Sequence, residues 1–192
     1  MKYNNKKIAG SLLFIGGVQS VLGIIIAEVL YPSYSTSLQW VSELGIGDSA
    51  IVFNSSMFLL GVLGIAASYF IQRAFNFKVV TFLFAMASIG SMGVGLFTMD
   101  TDTLLIHGIF SYGTFIFSGL SAIASYKILK PPLSYLSIIL GIFSLLAFAL
   151  PDLGLGRGGM ERMIIYPALL WLIGLGGHLI GDSRDTSEST KG

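Results

Sequence analysis

Apolar residues dominate six long stretches of the chain, 8–30, 51–71, 79–99, 104–126, 133–150 and 163–180, and polar or charged positions gather in the segments between them. A helix rises about 1.5 Å per residue, so roughly 20 apolar residues cross the hydrocarbon of a bilayer. The pattern predicts an all-α, polytopic membrane bundle of six transmembrane helices, forming one domain over residues 1–181. A short polar tail, 182–192, is rich in Ser, Thr and Asp and is expected to be disordered. The last two apolar stretches hold 18 residues each and span only if they stand nearly upright. The first follows Lys2, Lys6 and Lys7 as a signal peptide would, but its apolar run is too long and no A-x-A cleavage site follows. It reads as a retained signal-anchor helix.

Composition agrees: 54% of the 192 residues are hydrophobic, 11% are charged, and the mean hydropathy is +0.81. A soluble domain carries about 25% charge, so an ordinary soluble fold is excluded. The absence of cysteine removes disulfides, iron–sulfur clusters and thiolate zinc sites. A net charge of +1 without a basic stripe argues against nucleic acid as a partner. Basic residues are unevenly distributed: Lys2, Lys6, Lys7, Arg73, Lys78, Lys127, Lys130, Arg184 and Lys191, nine of the eleven, fall on the side of the termini, leaving Arg157 and Arg162 opposite. By the positive-inside rule both termini are expected in the cytoplasm, with the chain in the cell membrane.

This orientation makes 72–78 and 127–132 tight inner connections and 31–50 and 151–162 longer outer ones. Glu28, Glu43, Asp48, Asp100, Asp102, Asp152 and Glu161 then lie at or near the outer face, where glycine also concentrates. Small residues at helical spacing mark close packing in membranes. Ala87, Ser91 and Gly95 form such a row, as do Asn54, Gly61, Gly64 and Ser68, and Gly177 with Gly181. His107, Ser111, Ser118, Ala122 and Ser125 share one side of the fourth helix, a polar seam with His107 at its outer mouth. The sequences Glu43-Leu44-Gly45-Ile46-Gly47 and Asp152-Leu153-Gly154-Leu155-Gly156 echo one another, as an old duplication or simply as two glycine-rich turns.

Ionisable groups at membrane depth are expensive and tend to be paired or functional. If the outer ends converge, Ser42, Glu43, Asn54, Asp100, His107, Arg157, Glu161, Arg162 and Tyr166 form one candidate site. With two histidines a membrane thickness apart, a zinc centre lacks ligands, so no metal and no cofactor are expected. A nucleophilic serine, Ser42 or Ser111, could use His107 and Asp100, but no Gly-x-Ser-x-Gly elbow is present. The run Arg157-Gly158-Gly159-Met160-Glu161-Arg162 at the start of the sixth helix combines free peptide N–H groups with two guanidinium groups, which suits a phosphate or carboxylate. The plain alternative is a glycine-rich turn closed by ion pairs.

Ser42-Glu43-Leu44-Gly45, Phe53-Asn54, the segment from Phe97 to Asp100 followed by His107, and Gly158-Gly159-Met160-Glu161-Arg162 running to Tyr166-Pro167 and Trp171 together resemble a prokaryotic family of six-helix membrane proteins known as domain of unknown function 998. The likeness covers about residues 8–181 and implies an integral six-helix fold, with emphasis on Glu43, Asn54, His107, Glu161 and Arg162. Six helices and two histidines set the chain apart from membrane hydrolases of the ceramidase and adiponectin-receptor kind.

Three functions fit these residues. The first is binding of a lipid headgroup or small anionic ligand in an outward-facing polar pocket, with Arg157 and Arg162 holding the anion, Glu43, Asn54 and His107 orienting it, and Ser42, Glu161 and Tyr166 also in the pocket. The second is a lipid-modifying hydrolase or transferase with His107 as base beside Glu43 or Asp100. The third is a small-solute transporter, which requires a polar path reaching Ser125. Substrate and oligomeric state are not legible in the residues.

Overall fold

The computed structural model describes residues 4–100, 102–150 and 152–188, with side chains as far as 182. Lys2 and Lys191 of the basic-residue count, and residues 189–192 of the expected tail, lie outside the described residues. Six helices account for almost all of what is described: α1 (Asn5–Leu30), α2 (Ala50–Phe75), α3 (Lys78–Leu96), α4 (Leu104–Ala124), α5 (Leu133–Ala149) and α6 (Gly156–Glu188). Five are long and apolar enough to cross a membrane, and α5, at 17 residues, is shorter. Each helix packs on its neighbours in sequence, and α6 closes the ring against α1. The two run antiparallel, because Lys6 at the start of α1 pairs with Asp182 late in α6 at 2.6 Å, while Glu28 near the end of α1 pairs with Arg162 near the start of α6.

Close helix contact is carried by glycine where backbones touch. A Cβ on Gly10 would stand 2.7 Å from the carbonyl oxygen of Gly176, and one on Gly176 would stand 2.6 Å from the amide nitrogen of Phe14. The expected rows on α2 and α3 meet each other: a Cβ on Gly95 would lie 2.5 Å from Asn54 O, and Ser91 donates its hydroxyl to Met57 O at 2.8 Å. Gly177 and Gly181 do not serve this purpose, since nothing lies within 4 Å of a Cβ built on either. At 100° per residue, Gly176 takes the α1-facing position and its neighbour Gly177 faces away.

Two expected connections are corrected. The segment 151–162 is mostly helix, because α6 begins at Gly156, seven residues before the expected 163. Its start is shaped by Asp152, whose Oδ1 accepts the amides of Gly154 and Gly156, both at 3.0 Å, while both glycines adopt positive φ. Arg157, Glu161 and Arg162 therefore project from a rigid helix. The segment 31–50 likewise folds back onto the bundle through 3₁₀ turns at Val41–Gly45 and Gly47–Ser49, burying Val41 and Leu44. Pro167 sits inside α6, and near it Ser144 of α5 donates to Ile164 O at 2.8 Å, tying the two helices together.

The interior has two apolar cores. Leu13, Ile71, Val80, Trp171 and Leu175 anchor the one toward the termini, and Ile24, Val41, Leu44, Phe53 and Leu169 anchor the one beneath the 31–50 segment. A cavity of about 120 Å³ lies where residues of both cores meet.

Candidate functional site

The start of α6 is tied to the 31–50 segment by the Glu161 carboxylate and by the guanidinium groups of Arg157 and Arg162. A 3₁₀ turn, like any helix, begins with N–H groups that lack intrahelical partners. At Val41–Gly45 these are taken by acids: Glu43 Oε1 accepts the Trp40 amide at 3.1 Å, and Glu161 Oε2 accepts the Val41 amide and, at 3.4 Å, that of Ser42. Glu161 is only 4% exposed and takes part in no ion pair among the described residues.

Arg162 is the hub of a second cluster. Its Nη1 donates to the carbonyls of Thr36 (2.9 Å) and Gly158 (3.0 Å), and its Nη2 donates to Glu28 Oε1 and to the Tyr34 hydroxyl (3.0 Å). The guanidinium also lies 5.5 Å from the centre of the Tyr34 ring. Tyr34 passes the contact on by donating to Trp40 O at 2.9 Å. Burial raises the Tyr34 phenol above its usual pKa of 10.0, although the Arg162 hydrogen bond and charge pull the other way. A raised folded-state pKa stabilises the fold fully below pH 10.0 and loses that contribution as pH rises through the shifted value.

The glycines of the Arg157–Arg162 run serve the same junction. Gly158 donates its amide to Ser37 O at 3.0 Å, and a Cβ there would collide with the carbonyls of Gln39 and Thr36. The space that the sequence offers to an anion is filled by the chain itself. Arg157, exposed, donates through Nε to Leu38 O and lies 3.7 Å from Glu43.

The remaining candidates are dispersed. Asn54 donates to Gly45 O at 2.9 Å, and its Oδ1 has no partner. Ser42 directs its hydroxyl to Met99 Sδ at 3.0 Å. Tyr166 packs on the core beneath the 31–50 segment and, alone of these, belongs with the Arg162 cluster, its hydroxyl turned to that guanidinium. Asp100 is exposed and accepts from Thr98 Oγ1 at 2.8 Å. His107 is 4% exposed, with Nδ1 2.7 Å from Phe97 O and Nε2 unpartnered. Among the described residues no carboxylate oxygen comes within 4.0 Å of its ring, so the structure does not assemble the expected acid–base pair. The histidine clips the α3–α4 connection to α4. His107→Ala should therefore lower stability by about 1–3 kcal/mol, the cost of a buried hydrogen bond left half made. His107→Asn, which can still donate to Phe97 O, should restore most of it in a thermal melt.

Below Glu161 lies the cavity. It is lined by helical stripes at spacings of three and four: Glu161, Ile164, Ile165, Ala168, Leu169 and Leu172 on α6, and Phe84, Ala87, Ser88, Ser91 and Val94 on α3. Residues of α1, α2 and α4 complete the wall, and α5 contributes none. The serines and threonine of this wall do not make a polar path, because Ser88, Ser91, Thr114, Ser118 and Ser121 return their hydroxyls to backbone carbonyls of their own or an adjacent helix. Ser42 gives its hydroxyl to Met99 Sδ instead, and Ser111 Oγ and Trp171 Nε1 are buried and without a partner.

Sequence reading missed Tyr34, for which no local signal exists, and the cavity role of Trp171. The α3 and α6 stripes carry a legible signal for the cavity, in that both present small residues in the middle of an apolar face.

No curated protein and no solved structure matches the chain. The model of one family, described as Protein of unknown function (DUF998), matches residues 14–178, which is most of the sequence and takes in at least part of every helix laid out above, and the chain belongs to that family.

Proposed function

We propose that the protein is a multi-pass cell-membrane protein that binds a small, largely apolar, membrane-borne molecule in the cavity between its helices. The observation that carries this reading is the cavity itself: about 120 Å³ of space inside the bundle, bounded by five helices and closed over by Val41 and Ser42 of the 31–50 segment. An apolar cavity of about 150 Å³ in a protein core takes up benzene, so this one, smaller by about a fifth, has room for about five heavy atoms. The distribution of lysine and arginine supports cytoplasmic termini, which makes the Glu161 end of the cavity the outward one.

The alternatives draw less support. Capture of an anion by Arg157 and Arg162 would require a guanidinium that is already committed to Glu28, Tyr34 and two carbonyls. Acid–base catalysis lacks a carboxylate beside His107. Transport lacks a polar path, since the cavity lining ends at Ser121 and Leu172 without reaching Ser125.

The test is mass spectrometry of molecules that co-purify from native membranes. Ala168→Phe extends a ring into the cavity, and Arg157→Ala removes the exposed cation. An apolar species enriched on the wild type, lost with Ala168→Phe and kept with Arg157→Ala, is the expected result. A species lost with Arg157→Ala and kept with Ala168→Phe would overturn it in favour of an anion at the outer face.

A further inference from the structure

We infer that the molecule taken into the cavity carries an amine or equivalent N–H-donating end, and that this end sits on the Glu161 carboxylate. The inference rests on the cavity-binding reading above and adds the chemistry of the ligand to it.

Glu161 is the only ionisable side chain among the residues that line the cavity. A carboxylate removed from water needs a cation or several hydrogen bonds, because an uncompensated buried charge costs several kcal/mol. Inside the protein the amides of Val41 and Ser42 both donate to Oε2 of Glu161, and the Ser42 side chain stands beside the same carboxyl group. The neighbouring guanidinium of Arg162, one residue along the helix, is engaged with Glu28 instead. No cationic side chain among the described residues lies within 4.0 Å of Glu161. The wall therefore presents one acidic acceptor at the end of an otherwise apolar space.

That arrangement discriminates between ligands. An ammonium or amine N–H at this end pairs with Glu161 while its carbon chain lies against Ile164, Ile165 and Ala168 along the same helix face. A carboxylate or phosphate end finds no cationic side chain on this wall and would give up its water without a counterion. A hydroxyl forms a single uncharged hydrogen bond and falls between the two. Farther down, about 15 Å along α6 from Glu161, Trp171 Nε1 has no acceptor, and Ser111 Oγ on α4 is also unpartnered, so neither supplies a competing charge.

Equilibrium dialysis of n-butylamine, n-butanol and n-butanoic acid against the full chain in nanodiscs tests this, with empty nanodiscs as the baseline. The wild type should hold the amine about tenfold more tightly than the alcohol, and the acid no better than empty nanodiscs do. Glu161→Gln should reduce the amine to the level of the alcohol. Equal binding of amine and acid by the wild type overturns the inference even if Glu161→Gln fails to fold, and an unchanged amine preference in a folded Glu161→Gln protein does so as well. If all three probes bind equally and Ala168→Phe removes all three, the cavity reading stands and the amine inference falls. If no probe exceeds the empty nanodiscs, or Ala168→Phe changes nothing, the cavity reading falls and the inference falls with it.

Discussion

Arg162→Met should lower the unfolding free energy by about 3–5 kcal/mol, the cost of removing one partner from a buried ion pair. The side chains of Arg162 and Glu28 are 10% and 21% exposed, so solvent screens the pair little. Methionine fills much of the same volume, and the loss is then mainly electrical: Glu28 keeps its charge without a counterion, and the carbonyls of Thr36 and Gly158 lose their donor. The effect should spread, because Arg162 holds Tyr34 and Tyr34 holds Trp40 at the entry to the Val41–Gly45 turn. Hydrogen exchange in the 31–50 segment should rise in Arg162→Met even under conditions where the helices remain protected. Glu28→Gln should cost less, since an amide oxygen still accepts from Nη2. A thermal melt in which Glu28→Gln is as damaging as Arg162→Met, or in which neither variant shifts, would show that the pair does not hold the junction.

A second large effect is expected where α1 and α6 touch. Gly176→Leu places a branched side chain against the amide of Phe14 and the carbonyl of Gly10, both backbone groups that move only if the helices part. Overpacking a well-filled core costs about 1–3 kcal/mol when side chains can yield, and more when a backbone must. Without a hydrophobic drive between helices in lipid, separation of α1 from α6 also forfeits the close contacts that hold them together. Gly177→Leu, one residue later, enters open space and should leave the melting temperature unchanged. The pair is a controlled comparison, with the same substitution and adjacent positions giving opposite outcomes. Equal stability of the two variants would contradict the packing described for α6.

The hydrophobic pattern was sufficient for the fold class, since the apolar stretches follow from the order of residues along the chain, and each of the six corresponds to a helix, five of them of spanning length. It was sufficient too for the packing faces of α2 and α3, whose small residues keep to one side of each helix at spacings of three, four and seven, but not for which helix each face meets. Element starts were less legible. Residues 156–162 read as a loop because glycine and charge signal one, whereas Asp152 and the surrounding contacts make a helix of them. The list of site residues included Arg162, Glu161 and Ser42, but not what each does. Arginine beside glycine at a helix start is the signature of an anion site, and nothing local reveals that carbonyls from 120 or so residues earlier in the chain already occupy that space. His107 with a nearby acid looks equally catalytic in sequence, and the distance between them is a property of the packed bundle. Helical periodicity specifies which residues share a face, because that depends only on the turn of one helix. Which face meets which partner, and whether a cavity is left between them, depends on how six helices and a folded-back segment share the same volume, and only the tertiary structure decides that.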